Sequence, residues 1–367
     1  MTNSKPAILV TGVSGNLGLR LLPELADYDV IGVDLTPPQT NLPVRFLRMD
    51  LGEEDSCREL MLLLRDSHVA AVVHLAFVLD PVRNGILDVD RMWRINVAGT
   101  ARLLEAVGET NRYEAVVRKV IVPSSVTVYG PDLPEPVKEE APFGAHTLPY
   151  AVHKMEVEKV IQQRSPGLRG CSVYSLRSHI FAGSTMDNYI LGAFRGTPNG
   201  HGKRAAEMRR KGTRLPCLLP MGKRYLENRM QFVHVDDVAR LISYVLRRTE
   251  PEPQRLTVLN VAGRGAPLTL ARCLEIARAR AVRLPGNAAF RLALRVVWDL
   301  GISATPPQAA PYITGEYLMN TQRLREFLGA DYERVIRYTV EEAFEDSFAS
   351  VAAVPVAAYE NRSESHS

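Results

Sequence analysis

The sequence predicts an α/β fold, a doubly wound parallel sheet joined to a smaller C-terminal domain. Up to about residue 180, apolar and β-branched runs take turns with helical patterns. Those runs scarcely alternate between apolar and polar residues, which is typical of strands covered by helices on both faces. After residue 183 this rhythm ends, and a segment rich in glycine, proline and arginine begins.

The elements of the first part follow in regular order. Strands are predicted over residues 7–12, 28–35, 44–50, 69–76, 117–125 and 171–178. Helices are predicted over residues 16–27, 53–66, 88–111 and 150–164. Pro23 is expected to bend the first helix or shift its start, because a proline ring disrupts a helix interior. Further on, we expect a strand and a helix within 230–246, capped by Asp236 or Asp237, a strand over 256–263, and helices over 267–281, 287–300 and 339–349.

The composition is that of an ordinary globular protein, with 46% hydrophobic and 23% charged residues. The net charge of +4 gives no reason to expect a nucleic-acid partner. No apolar window approaches the length of a membrane span, and the N-terminal run is interpreted as a strand rather than a signal peptide. The four cysteines form no CxxC pair, so neither disulfides nor a metal site are expected, and the cytoplasm is the predicted location.

A glycine-rich turn, TGVSGNLG, follows the first predicted strand and leads into a helix. Glycines permit a tight turn and let the backbone approach a pyrophosphate at the start of that helix. The spacing is GxxGxxG rather than the general GxGxxG fingerprint. The turn therefore predicts a Rossmann-type dinucleotide site with contacts from Gly12, Ser14, Gly15, Asn16, Leu17 and Gly18.

An aspartate, Asp34, ends the second predicted strand, 16 residues after Gly18. A carboxylate there can accept hydrogen bonds from both hydroxyls of the adenosine ribose. No lysine or arginine follows it directly, so a 2′-phosphate would face an unpaired negative charge, and the predicted cofactor is NAD. Asp50 and Leu51 after the third strand are further predicted contacts, although Asp50 is equally well explained as a helix cap.

A tyrosine and a lysine, Tyr150 and Lys154, lie one helical turn apart on one face of a predicted helix. A free tyrosine has a pKa near 10, so it is a poor base at neutral pH. A nearby ammonium, together with the positive nicotinamide of NAD⁺, favours the phenolate. Tyr150 is therefore predicted to exchange a proton with a substrate hydroxyl or carbonyl while a hydride moves at the same carbon.

In these motifs the chain resembles the extended short-chain dehydrogenase/reductase superfamily, in its NAD-dependent epimerase/dehydratase group. The resemblance covers roughly residues 7–281 and includes the motifs TGVSGNLG, HLA, NVAGT, PSSVTVYG, PYAVHK, LRSHIFAG, FVHVDDVA and NVAG. It implies that Ser125 is the catalytic hydroxyl beside Tyr150, and that Lys154 also binds the nicotinamide ribose. It further implies a homodimer and backbone contacts from Leu75 and Ala76 to the cofactor.

Three more residues are assigned to the site on the same basis. Thr127 is interpreted as a second hydroxyl donor to the substrate, Arg177 as a substrate contact, and His179 as a neighbour of the nicotinamide. The domain division follows as well. Residues 1–178 with 231–263 are expected to form the NAD-binding domain, residues 179–230 with 264–350 the substrate-binding domain, and residues 351–367 a flexible tail.

Two departures from the family's pattern narrow the chemistry. Val126 and Thr127 stand where nucleotide-sugar dehydratases of this group carry acidic residues, which argues against dehydration. Ile180 and Met230 replace the asparagine and arginine that can hold UDP in the epimerases, and neither can hydrogen-bond a diphosphate. A standard UDP-sugar site is therefore not expected.

Residues 195–229 carry ten lysines and arginines against two glutamates, a local charge of +8. This segment is interpreted either as a cap that attracts an anionic small-molecule substrate or as a solvated loop. The leading predicted function is NAD-dependent interconversion of a secondary alcohol and a ketone. The alternatives are a redox-neutral epimerase that retains NAD and a protein that senses NAD without turnover.

Overall fold

The computed structural model describes residues 5–79, 82–83, 86–133, 135–249, 253 and 256–349. The predicted tail over 351–367 lies outside the described residues, as does residue 350 at the end of the predicted second domain. In the described part of the chain, every helix is too short or too polar to cross a membrane.

The strands of the described chain, β1 to β15, are Ala7–Thr11, Asp29–Asp34, Arg45–Arg48, Ala71–His74, Val82–Arg83, Ile86–Leu87, Lys119–Ser125, Ser172–Ser178, Ile180–Ala182, Cys217–Pro220, Arg229–Met230, Phe232–His234, Thr257–Val261, Leu268–Thr269 and Ala281–Leu284. Its α-helices, α1 to α15, are Asn16–Leu21, Ser56–Asp66, Val89–Trp93, Gly99–Thr110, Pro149–Arg164, Tyr189–Arg195, Lys203–Arg210, Lys223–Glu227, Val235–Arg247, Leu270–Ile276, Gly286–Asp299, Ala310–Thr314, Gln322–Leu328, Tyr332–Val335 and Val340–Asp346.

A seven-stranded sheet with the order β13-β8-β7-β4-β1-β2-β3 forms the centre of the protein, and its neighbouring strands are all parallel. Both faces are buried. Ile8 and Val10 of β1 pack in one apolar cluster with Leu241 of α9, whereas Leu9 packs in a second cluster with Leu60 of α2. Burial on both faces explains why the strands read as continuous apolar runs, and the predicted fold class is confirmed.

The first helix begins at the predicted residue but ends early, whereas Pro23 was expected to bend it or shift its start. α1 stops at Leu21, and a 3₁₀ turn over Leu22–Leu25 contains the proline at its second position. The third predicted helix also departs from a regular α-helix, because a π-helical turn over Arg94–Ala98 separates α3 from α4. Such turns often occur next to functional sites.

The helix predicted over 267–281 is wrong in its extent. Its first residues form β14, α10 covers Leu270–Ile276, and its last residue begins β15. Arg278 has a φ of 49°, in the left-handed region that α-helices exclude. The apolar spacing of the sequence continues beyond Ile276, where the helix ends. It therefore does not reveal that the backbone turns at Arg278.

The predicted cap of α9 is also wrong. His234, rather than Asp236 or Asp237, is the capping residue, and its Nδ1 accepts the Asp236 N–H at 3.1 Å. Asp236 instead pairs with Arg20 of α1 at 2.5 Å. Asp237 is fully buried and accepts backbone N–H groups from the segment before α15. Both carboxylates therefore join separate parts of the chain.

Candidate active site

The predicted site residues gather at the carboxyl edge of the sheet, where the strand order reverses between β1 and β4. Gly12 follows β1, Leu75 follows β4, and Ser125 ends β7. Because parallel strands bring their carboxyl ends to one edge, these residues lie side by side. Open α/β sheets bind ligands at such a reversal.

The glycine turn leaves no room for side chains at its first and last glycines. Gly12 has a φ of 69°, and a Cβ there would lie 2.5 Å from the Ala76 nitrogen. A Cβ on Gly18 would lie 2.4 Å from the Val13 oxygen. Gly12 therefore lets the turn pack against the loop after β4, and Gly18 lets the start of α1 pack against the turn itself. Such tight packing is typical of dinucleotide-binding turns.

Asp34 is tied to this turn. Its Oδ2 accepts the Ser14 N–H at 3.0 Å, and its Oδ1 accepts the Leu35 N–H at 2.7 Å. A carboxylate has about four acceptor positions, so both oxygens keep lone pairs for ribose hydroxyls. The arrangement fits the predicted recognition of an unmodified adenosine ribose.

The remaining predicted turn residues have contacts of their own. Asn16 donates from Nδ2 to the Thr185 carbonyl at 2.6 Å, which joins the turn to the loop before α6. Leu17 packs against the core cluster on the α9 side of the sheet, and Gly15 donates its N–H to the Gly12 carbonyl at 3.1 Å. Asn16 is thus the member of this group whose side chain bridges two parts of the chain.

Asp50 forms a local turn after β3. Its Oδ1 accepts the Gly52 N–H at 2.8 Å, while Leu51 is buried in the core. Asp50 is not a helix cap, because α2 begins at Ser56 with Asp55 as its capping residue. The adenine contact of Asp50 stays a prediction. After β4, the N–H groups of Leu75 and Ala76 are held by Thr11, at 2.9 Å to its carbonyl and 3.3 Å to its hydroxyl.

Two hydrogen bonds from Thr127 hold Ser125. Thr127 directs both its N–H and its hydroxyl to the Ser125 Oγ, at 3.2 and 3.0 Å. Ser125 in turn favours the charged form of Tyr150, because its hydroxyl lowers the pKa of that phenol. The expected second donor to the substrate, Thr127, therefore contacts Ser125 instead.

Burial has the largest effect on the electrostatics around Tyr150. Burial raises the pKa of Tyr150, and the hydrogen bond from Ser125 opposes that rise. Burial also lowers the pKa of Lys154 to about 7, against the attraction of Glu158. Lys154 donates from Nζ to the Pro123 carbonyl at 2.8 Å. Among the described residues, Ser125 is the group that opposes burial and favours the phenolate of Tyr150.

Sequence reasoning missed Phe77, which touches both reactive groups. The Lys154 Nζ lies 3.6 Å from the centre of the Phe77 ring, and the Tyr150 ring packs edge-on against it with centroids 5.6 Å apart. Asn96 fixes this loop, since its amide accepts from the Val78 N–H at 2.7 Å and donates to the Val78 carbonyl at 2.9 Å. Phe77 directly follows the HLA motif, so its position after this motif was the one sequence feature that could have indicated a role in the site.

Arg177 does not take the predicted role of substrate contact. It is 1% exposed, and its guanidinium pairs with Glu158 at 2.9 and 3.1 Å. The same group donates to the Tyr129 hydroxyl at 2.7 Å and the Glu139 carbonyl at 2.8 Å. Burial disfavours its charge, but these partners hold the pKa of Arg177 above its usual range. Arg177 therefore joins elements beneath the site.

His179 is likewise committed to the backbone. Its Nδ1 accepts the Ile180 N–H at 2.9 Å, and its Nε2 hydrogen-bonds to the Tyr317 carbonyl at 2.9 Å. Burial lowers the pKa of His179 to about 4, so the ring is neutral. With both nitrogens occupied, the predicted contact with the nicotinamide is limited to the ring surface, which already stacks on Tyr317.

Removing the charge of Asp34 is expected to weaken the choice between cofactors. The unmodified protein should bind NAD(H) at least about tenfold more tightly than NADP(H), because the 2′-phosphate would meet the Asp34 carboxylate. Asp34→Asn should reduce that preference while keeping an oxygen for the Ser14 N–H. Calorimetric titration of both cofactors into both proteins measures this, and equal affinities for the unmodified protein would contradict the assignment.

Comparison with known proteins gives consistent matches. The sequence model of the NAD dependent epimerase/dehydratase family matches residues 8–262, more than half of the chain. A UDP-glucose 4-epimerase from Drosophila melanogaster is 30% identical over 214 residues, 53% of this chain and 57% of that protein. One from Bacillus subtilis is 28% identical over 181 residues, 47% of this chain and 51% of that protein. The matched part thus spans about half the length of these relatives.

Solved structures share the fold over nearly the whole chain. The UDP-glucose 4-epimerase of Thermus thermophilus in complex with NAD has a TM-score of 0.64 at 20% identity, covering 94% of this chain and 99% of that one. MoeE5 in complex with UDP-glucuronic acid and NAD has a TM-score of 0.63 at 21% identity, covering 94% and 97%. The matches confirm the predicted resemblance, the enzymatic class and NAD as the cofactor.

Proposed function

Because the chain belongs to the NAD dependent epimerase/dehydratase family, we propose that it interconverts a secondary alcohol and a ketone through Ser125, Tyr150 and Lys154. The observation that carries this proposal is that two hydrogen bonds from Thr127 hold the Ser125 Oγ, and that Ser125 lowers the pKa of the Tyr150 phenol. A phenol that exchanges protons and a hydroxyl donor, at the sheet edge that also carries the glycine turn, are what this reaction requires.

The protein's residues divide the chemistry between them. NAD, when bound, supplies the acceptor or donor of the hydride. In the direction of oxidation, Tyr150 takes the proton of the substrate hydroxyl, and in the direction of reduction it returns a proton to the carbonyl oxygen. Ser125 hydrogen-bonds to the same oxygen and holds it beside Tyr150. Lys154 binds the nicotinamide ribose, and the glycine turn and Asp34 hold the rest of the cofactor.

A redox-neutral epimerase is the second candidate, because the matched relatives are UDP-glucose 4-epimerases. An epimerase uses the same residues to oxidise and then re-reduce one carbinol carbon. Against it stand the apolar side chains of Ile180 and Met230 at the positions that hold UDP in the family. Charge-assisted hydrogen bonds of that kind contribute roughly 1.5–3 kcal/mol each. An NAD sensor without turnover is less well supported, since serine, tyrosine and lysine are all retained.

The homodimer, the cytoplasmic location and the domain boundaries stay predictions.

Absorbance of the reduced nicotinamide tests the proposed reaction. The enzyme should consume or form NADH in a one-to-one ratio with some alcohol or ketone. In parallel assays, we expect no interconversion of UDP-glucose and UDP-galactose or of their N-acetyl forms. Epimerisation of a UDP-sugar at about 1 s⁻¹ or faster, without a net change in NADH, would contradict the proposal and favour the epimerase.

A further inference from the structure

An apolar cavity of about 260 Å³ lies between α6, β10 and α11. Its walls are mainly aliphatic and aromatic side chains, among them Phe194, Leu219, Met230, Phe290 and Leu294. By comparison, an apolar cavity of roughly 150 Å³ lined by such residues stays dry and binds benzene. This cavity has room for a hydrocarbon body larger than a single ring.

Charged side chains are absent from the described residues that line this cavity. The basic segment 195–229 supplies part of the wall but directs several of its cations elsewhere. Arg195 donates to the carbonyls of Met186 and Ser347, at 2.8 and 2.9 Å. Arg229 pairs with Glu316 at 2.6 Å. The interpretation of this segment as an anion-attracting cap therefore lacks support in the cavity.

The cavity is joined to Tyr150 by shared packing. Ile313 lies in the cavity wall and packs, as Tyr150 does, against the apolar cluster that contains Tyr317. Met230 also lines the smaller space next to His179 and Tyr317. A substrate whose carbinol carbon faces Tyr150 can therefore extend its body into the cavity.

We propose that this cavity binds the body of the substrate, and that the substrate is an uncharged alcohol or ketone on an apolar ring system or chain rather than a nucleotide-linked sugar. This inference rests on the proposed function for the position of the reacting carbon. Its independent basis is the apolar composition of the cavity wall. A diphosphate buried here would lose its hydration without gaining a cationic partner. A hydrocarbon would lose only unfavourable contact with water.

Calorimetric titration of two ketones in the presence of NAD⁺ tests the proposal, because NAD⁺ cannot reduce them and no turnover disturbs the heats. Decalone, which is bicyclic, should bind at least about tenfold more tightly than cyclohexanone, since its added methylenes leave water. UDP-glucose should bind more weakly than decalone. Equal affinities for the two ketones, or tighter binding of UDP-glucose, would overturn the proposal.

A matched pair of variants locates the binding. Met230→Arg places a cation in the wall and is expected to weaken decalone binding at least about tenfold. Met221→Arg makes the same change at a residue that is 55% exposed and outside the cavity, and should leave the affinity within about twofold. An equal effect of both substitutions, or none from Met230→Arg, would place the ketone elsewhere and overturn the proposal.

Two readouts separate this inference from the proposed function. Decalone binding should persist in Tyr150→Phe, because the cavity contacts do not involve the phenolic proton. Size-dependent ketone binding without any NADH-linked turnover would support the cavity and contradict the reaction. Turnover of ketones whose affinity does not depend on their hydrocarbon size would support the proposed reaction. It would overturn the proposal that the cavity binds the substrate body.

Discussion

Replacing Tyr150 with phenylalanine is expected to lower turnover by about 10²–10⁴-fold, the usual contribution of a general acid or base. The affinity for NAD should stay within about twofold, because the proposed cofactor contacts come from the glycine turn, Asp34 and Lys154. A phenylalanine also keeps the edge-on packing against Phe77. Steady-state kinetics and calorimetric titration of NAD measure the two effects separately.

Tyr332→Phe is the matched control for this substitution. The Tyr332 hydroxyl is buried and has no hydrogen-bond partner among the described residues, so its removal should leave turnover near that of the unmodified protein. If Tyr150→Phe retained turnover within a few-fold of the unmodified protein, Tyr150 would not be the proton-exchanging group.

Replacing Glu158 with glutamine is expected to lower the free energy of unfolding by about 3–5 kcal/mol. The side chains of Arg177 and Glu158 are 1% and 0% exposed, so the substitution leaves a buried guanidinium without its counter-charge. Glu158 also raises the pKa of Lys154. Its loss should therefore shift the lysine's titration to lower pH, which a pH profile of kcat/KM can report.

Glu156→Gln tests the same change on the same helix. Glu156 pairs with Lys159 at 2.8 Å, but both side chains are more than a third exposed, and surface pairs of this kind contribute about 0–1 kcal/mol. Urea denaturation of the two variants gives the comparison. Similar losses of stability for Glu156→Gln and Glu158→Gln would contradict the assignment of a special role to the buried pair.

The central sheet could be predicted from the sequence because burial on both faces acts on every residue of a strand. β7 and β8, for example, are buried along almost their whole length and read as continuous runs. The glycine turn was equally accessible, since a positive φ at Gly12 restricts which residues can stand there. Burial and backbone conformation restrict the residue type at each position, so both can be predicted from the sequence.

Side-chain direction was not accessible in the same way. Arg177 and His179 lie in one motif near the site, yet the first turns beneath the sheet edge to Glu158 and the second bonds to the backbone at Tyr317. Their partners are 19 and 138 residues away in the chain. Such contacts follow from tertiary packing, which residue spacing does not encode.

The apolar cavity is another feature that residue spacing could not predict. Its walls come from segments on both sides of β12 in the sequence, including α6 and α11. The composition of residues 195–229 alone suggested either a cap that attracts an anion or a solvated loop. Only the packing shows that the apolar residues of this segment face inward and that Arg195 and Arg229 bond elsewhere.

The network around Arg177 also bears on how the protein unfolds. Asn260 of β13 accepts from the Tyr129 hydroxyl at 2.7 Å and donates its N–H to the Glu139 carboxylate at 2.9 Å. The edge strand, the turn after β7 and the loop around Glu139 thus share one set of hydrogen bonds with Arg177. A partly open form in which β13 detaches would leave buried polar groups unpaired, which makes it costlier than separating an apolar interface. The amides of β13 should therefore exchange with solvent as slowly as those of the central strands, although β13 lies at the edge of the sheet.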